Sequence, residues 1–119
     1  MTPRSVLLYS EYYLPHHGGI ELHVRALARR LQRNGLRVAV ATPFPGPDGV
    51  DGIPVHRIRA PLLPYVHTVW GSHAARPLKE LLRTGGYDLL HCHHSIYNPS
   101  ASGVVYVAQR MGLPTVVTF

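Results

Sequence analysis

Apolar residues follow two rhythms along this chain. Val6-Leu7-Leu8-Tyr9 is a continuous run, as expected of a strand buried on both faces in a parallel sheet. From Ile20 the rhythm changes. Ile20, Val24, Leu27, Ala28 and Leu31 fall at helical spacing along one stripe, and Asn34-Gly35 supplies the stop. Arg37–Thr42 follows within two residues as a second strand, completing a βαβ unit. Thr42 to Gly52 is rich in Pro and Gly and reads as a loop. Ile53–Ile58 alternates and reads as a short strand beside the second one.

A helix is expected from about Thr68 to Arg83, with Leu78, Leu81 and Leu82 facing inward. Pro77 implies either a kink in it or a start at Pro77 itself, and Gly85-Gly86 ends it. Asp88–His91 is a short strand. Asn98-Pro99 provides a cap and a first helical position for a helix to Met111, stopped by Gly112 with Pro114 beyond. Thr115–Phe119 reads as another buried strand. The order β-α-β-β-α-β-α-β predicts an α/β, Rossmann-like, doubly wound domain over 1–119 with a mainly parallel sheet. The last strand is cut at the end where such folds place their functional loops, so the chain reads as a fragment with its C-terminal part missing.

Composition narrows the class. At 45% hydrophobic residues the chain is too apolar for disorder. No apolar run approaches the roughly 20 residues of a membrane-spanning helix. Met1-Thr2-Pro3-Arg4 lacks a signal-peptide layout, and Cys92 is the only cysteine, so a cytoplasmic location is expected. Net charge is +6, nearly all of the positive charge being arginine, which suits nucleic acid, anionic lipid or phosphorylated small molecules.

Candidate chemistry begins with Gly18 and Gly19, between the first strand and the first helix. Backbone N–H groups at a helix start have no partner inside the helix and can meet an anion; the bland alternative is a tight turn. No six-residue dinucleotide fingerprint or Gly-Lys-Ser/Thr loop is present, which disfavours ordinary NAD or ATP binding. Glu21 lies in the first turn, favoured by the helix dipole, at ion-pair spacing from Arg25. Alternation puts His91 and His93 on one strand face, close enough to share an ion. The remaining ligands of a zinc site have only loose candidates in His16 and His17, so no metal is expected. Instead the histidines, with Ser95 and Tyr97, line a cleft at the strand's carboxyl end. Cys92 points away from them and reads as a small buried residue. Arg25, Arg29 and Arg33, with Arg30 adjacent, form a basic stripe suited to anionic lipid headgroups or simply to water. Aromatics do not interleave with the basic residues as in a nucleic-acid module, so no nucleic acid is expected.

Three segments together resemble the N-terminal domain of family 4 glycosyltransferases, which have the GT-B architecture. They are Tyr12-Tyr13-Leu14-Pro15-His16-His17-Gly18-Gly19-Ile20-Glu21-Leu22-His23, Tyr87-Asp88-Leu89-Leu90-His91-Cys92-His93, and Gly112-Leu113-Pro114-Thr115-Val116-Val117-Thr118-Phe119. In order and spacing they span nearly the whole chain. The resemblance implies the acceptor-side half of a retaining glycosyltransferase of hexosyltransferase type. It would move sugar from a nucleotide-diphosphate sugar to an acceptor hydroxyl on a sugar, lipid or glycolipid, with no metal or other cofactor. It implies Gly18 and Gly19 near the donor diphosphate and His93, His94 and Ser95 near the acceptor. A further histidine is expected just after Phe119, so no catalytic residue is assigned within the chain. The donor-binding domain with its paired glutamates is absent, and the fragment is expected to be inactive alone. Members that glycosylate phosphatidylinositol share the Gly-Gly-x-Glu-x-His pattern, which adds peripheral binding at the inner membrane face. Two alternatives remain at this point: a non-catalytic α/β ligand-binding module, and a basic membrane- or nucleic-acid-binding module.

Overall fold

The computed structural model describes residues 4–16, 18–58, 75–93 and 99–118. Its centre is the continuous apolar run. β1 (Ser5–Ser10) is buried at every position because sheet neighbours and helices cover both its edges and both its faces. The chain continues through α1 (Gly19–Arg33), β2 (Arg37–Thr42), β3 (Gly49–Val50), β4 (Ile53–Arg57), α2 (Ala75–Gly85), β5 (Leu89–His93), α3 (Pro99–Arg110) and β6 (Thr115–Thr118). The sheet order is β3-β4-β2-β1-β5-β6, parallel except for the antiparallel β3–β4 pair. Crossovers therefore run outward in both directions from β1, as in a Rossmann-like sheet.

Alternation along the central strands sorts the core into two layers. Val6, Leu8, Val38, Val40 and Val55 pack under Val24 and Ala28 of α1. Leu7, Tyr9, Ala39, Ala41, Leu90 and Cys92 pack under Leu78 and Leu82 of α2 and Val104 and Ala108 of α3. At the amino edge, the Asp88 carboxylate accepts from the backbone N–H of Arg4 (3.0 Å) and of Ser5 (3.2 Å). These bonds fasten the segment before β5 to the start of β1 and hold the Asp88 carboxyl below its ordinary pKa.

Several sequence expectations shift. Ile20 belongs to the predicted apolar stripe but is 41% exposed, because it sits in the first turn of α1 above the sheet's carboxyl edge. The Pro- and Gly-rich loop contains β3, turned back on β4 through Asp51 (φ 56°) and Gly52 (φ 74°). Positive φ at both central residues suits a two-residue hairpin turn, and Asp-Gly was its signal in the sequence. Pro77 is not the start of α2, whose described span begins two residues earlier at Ala75. The segment of the expected helix before Ala75 lies outside the described residues. β5 begins one residue later than expected and ends two later, at His93. Just past the end of α1, Gly35 takes φ 87° and the Leu36 N–H donates to the Leu31 carbonyl (3.2 Å).

Candidate functional site

The crossover from β1 runs through α1 to one side of the sheet, while β5 lies on the other. The two connections diverge at the carboxyl ends of β1 and β5, leaving the crevice where ligands bind in open α/β sheets. Ser10 and His93 are register partners there, on the face that α1 covers.

The amino end of α1 opens onto this edge. Gly18 is its N-cap in extended backbone and no side chain caps the helix. The Leu22 N–H is satisfied by the Gly18 carbonyl (3.2 Å); the N–H groups ahead of it are those a helix leaves without an internal partner. The two glycines differ in what they permit. A Cβ on Gly18 would meet the Glu21 carboxylate at 2.5 Å, so Glu21 dictates the small residue there. A Cβ on Gly19 would meet nothing within 4 Å, so no described neighbour requires glycine at that position.

Glu21 is not paired with Arg25 as its spacing suggested. It is buried and holds His16, Nδ1 to Oε2 at 2.8 Å. Arg25 instead reaches the hairpin, donating from Nε to Asp51 Oδ2 (2.6 Å) and from Nη2 to Oδ1 (3.1 Å). That hydrogen bond holds the Asp51 carboxyl below its ordinary pKa. The expected basic stripe thus loses Arg25, while Arg29, Arg30 and Arg33 remain exposed.

Three imidazoles gather over the crevice. His91 and His93 stack at 4.4 Å with 20° between their planes, as strand alternation predicted. His23 of α1, which sequence reasoning left unassigned, meets His93 edge-on at 5.6 Å. His91 Nε2 and the Thr118 hydroxyl share a hydrogen bond of 2.7 Å. His93 is 5% exposed, and neither of its ring nitrogens has a hydrogen-bond partner among the described residues. Burial pushes its pKa down to about 4, with His91 and His23 adding to the effect. The Tyr9 backbone opposes this. Burial, then His23, also lowers His91. Near neutral pH, His93 is therefore an uncharged ring with one donor and one acceptor to satisfy.

Among the described residues no group of three His, Cys, Asp or Glu side chains is placed to hold a metal ion. Cys92 points to the opposite face, where burial and Glu11 push its thiol up to about 12. It is no nucleophile near pH 7. His94 and Ser95, the other expected acceptor residues, lie outside the described residues, as do His17 and Tyr97.

The loops around the crevice are tied by a residue the sequence analysis passed over. Arg57 donates from Nε to the Pro47 carbonyl (2.7 Å), from Nη1 to Phe44 (3.0 Å) and from Nη2 to Leu14 (2.7 Å). Its signal was weak: an arginine at the carboxyl end of a strand, where functional loops begin. The Thr42 hydroxyl adds a second tie, donating to the Glu11 carbonyl (3.3 Å) and accepting the Phe44 N–H (3.2 Å).

The family model described as Glycosyltransferase Family 4 matches residues 17–119. Over 82 residues the chain is 34% identical to an uncharacterized glycosyltransferase of Methanocaldococcus jannaschii, a match covering 64% of this chain and 21% of that protein. The chain thus corresponds to about a fifth of that relative's length. Among solved structures, the C-terminal domain of a Pyrococcus furiosus hydrogenase superposes with a TM-score of 0.60 at 17% identity, covering 96% of this chain and 90% of that one. A second structure from that protein gives 0.62 at 18% identity, covering 97% and 90%. At such identities the likeness concerns the fold alone.

Proposed function

The chain belongs to glycosyltransferase family 4, and on that premise we propose that it is the acceptor-side half of a retaining enzyme. This enzyme moves a sugar from a nucleotide-diphosphate sugar to an acceptor hydroxyl, in the cytoplasm and without a metal. The observation that carries the reading is the carboxyl edge between β1 and β5. There the start of α1, where no described residue lies within reach of a side chain at Gly19, shares an edge with the buried ring of His93, whose nitrogens have no partner among the described residues.

The two features suit two parts of one reaction. Donor diphosphate fits the α1 terminus, where free N–H groups and the helix dipole favour negative charge. Gly19 leaves room for the phosphate to approach the backbone. An uncharged His93, with one donor and one acceptor, suits a hydroxyl that can both accept and donate better than an anion that can only accept, which favours a role at the acceptor together with His94 and Ser95. Catalysis is then mainly electrostatic: the edge stabilises the departing diphosphate while the acceptor oxygen attacks.

A lipid or glycolipid acceptor has one specific support. Leu22, 49% exposed, lies along α1 from Arg29 and Arg33 at spacings of one helical face. An exposed apolar side chain above arginines suits an anionic membrane surface.

The test is transfer from a panel of sugar-labelled nucleotide sugars to soluble and lipid acceptors, using the full product of the gene that encodes this chain. Product with retained anomeric configuration is expected. Inverted product, or hydrolysis without transfer to any acceptor, contradicts the reading.

A further inference from the structure

One charge at the start of α1 works against the anion assigned there. Glu21 lies in the first turn and is buried. A Cβ on Gly18 would meet its carboxylate at 2.5 Å, so that carboxylate abuts the N-cap itself. It draws on the same helix field that a diphosphate would use, and like charges at close range repel.

His16 is placed to cancel this charge. Its Nδ1 lies 2.8 Å from Glu21 Oε2. An ionised carboxylate can only accept, so the hydrogen between them belongs to Nδ1. A further proton enters at Nε2, on a ring that keeps 42% of its side chain accessible. The pair is thus net negative with a neutral ring and neutral overall with an imidazolium.

Tyr12 stacks on the ring at 4.9 Å, a distance at which an aromatic face attracts a cation. Phe44, from the loop after β2, meets it edge-on at 5.2 Å. The charged and titratable neighbours are Tyr12, Glu11 and Arg57. Burial, then Glu11 and Glu21, raises the Tyr12 phenol, which stays uncharged near neutral pH. Glu11 is buried, with an interaction of its own. Arg57 ties the Leu14 and Phe44 carbonyls and keeps its charge, although burial lowers it. The imidazole is the group that can change charge in the range where histidine titrates.

We propose that anion binding at the start of α1 is proton-linked: the site takes up a diphosphate together with a proton on His16, which cancels the charge of Glu21. The proposal concerns regulation of the donor site and rests on the glycosyltransferase reading for that site. The proton comes from solvent and stays on Nε2 while the anion is bound. Affinity therefore rises as pH falls through the titration of His16. Glu21 is a positioning residue, because it acts through His16.

The experiment titrates the chain with P,P′-dimethyl diphosphate, a diester whose charge stays fixed where pyrophosphate itself would titrate. Backbone amide NMR locates and measures binding from about pH 5 to about pH 8. Shifts at Gly18, Gly19 and Ile20 are expected, with affinity about tenfold higher at the acid end. Calorimetry in buffers of different ionisation enthalpy is expected to show proton uptake on binding. His16→Gln keeps a donor for Glu21 but takes no proton. It is expected to bind about tenfold more weakly than the parent at the acid end, without pH dependence. Glu21→Gln keeps an acceptor for Nδ1 and removes the charge. It is expected to bind about tenfold more tightly than the parent at the alkaline end. A parent affinity independent of pH, binding without proton uptake, pH dependence retained in His16→Gln, or a Glu21→Gln variant no tighter than the parent overturns the proposal. Should a variant fail to fold, the proton count in the parent chain decides. Diphosphate shifts absent from the start of α1 would overturn both this proposal and the donor site, whereas binding there without pH dependence would overturn this proposal alone.

Discussion

An imidazole buried without hydrogen-bond partners loses roughly 1–3 kcal/mol of stability for each polar atom left unpaired. Among the described residues His93 has no such partner, and a bound hydroxyl is the one the account supplies. Replacing it with a ring of like shape should therefore separate folding from function. His93→Phe is expected to be about 1–2 kcal/mol more stable by denaturant titration and to lose acceptor binding. A less stable variant would show that the pocket already satisfies the ring. The same residue sets a pH dependence. Its folded pKa of about 4 lies below the ordinary 6.5, so the unfolded chain binds the proton more readily between these values. Its contribution is complete above about pH 6.5 and is lost as pH falls towards 4, by at most about 3 kcal/mol. Asp51 and Asp88, both lowered, lose their contributions only at lower pH, below the ordinary carboxylate range. Proton NMR of the His93 ring against pH checks the assignment; a midpoint near 6.5 would contradict it. The pairing of His91 with His93 was legible because strand alternation is strict. Glu21 with His16 was not, because a loop carries His16 round to the helix start by a path that no periodicity encodes.

At the scale of elements, strands and helices were read correctly wherever one hydrophobic period ran unbroken, as in β1, β2 and most of α1. The errors fall at the carboxyl edge. Ile20 continues the α1 stripe but rises above the sheet, and β5 runs on through His91-Cys92-His93, where polar residues mask a strand. The β3–β4 hairpin was hidden by the prolines around Asp51-Gly52. The ends of α1 give contrasting predictions. Gly35→Ala forces a side chain into φ 87° and should cost about 1–2 kcal/mol in thermal or denaturant unfolding. Gly19→Ala adds a methyl in open space at a helical position and should leave stability unchanged or raise it by up to about 1 kcal/mol. Equal losses at both positions would mean that Gly19 is constrained by the fold and not reserved for a ligand.

For the whole molecule, two apolar layers support an edge whose chemistry is carried by loops and helix ends. Leu90, buried against α2 and α3, belongs to that support. Leu90→Ala is expected to cost about 3 kcal/mol of unfolding free energy, and a cost below about 1 kcal/mol would contradict the tight two-layer core. The doubly wound order was legible from the succession of periods, and it locates the crevice without naming its contents. Family membership then names the chemistry, and the open position at Gly19 is where the two arguments meet. The most direct test is a titration of the chain with pyrophosphate, the group common to all nucleotide-diphosphate donors, read by backbone amide NMR in parent and Gly19→Ala proteins. The account predicts shifts centred on Gly18, Gly19 and Ile20, with binding about tenfold weaker in the alanine variant at unchanged stability. Shifts centred away from the start of α1, or equal affinity in both proteins, would contradict it.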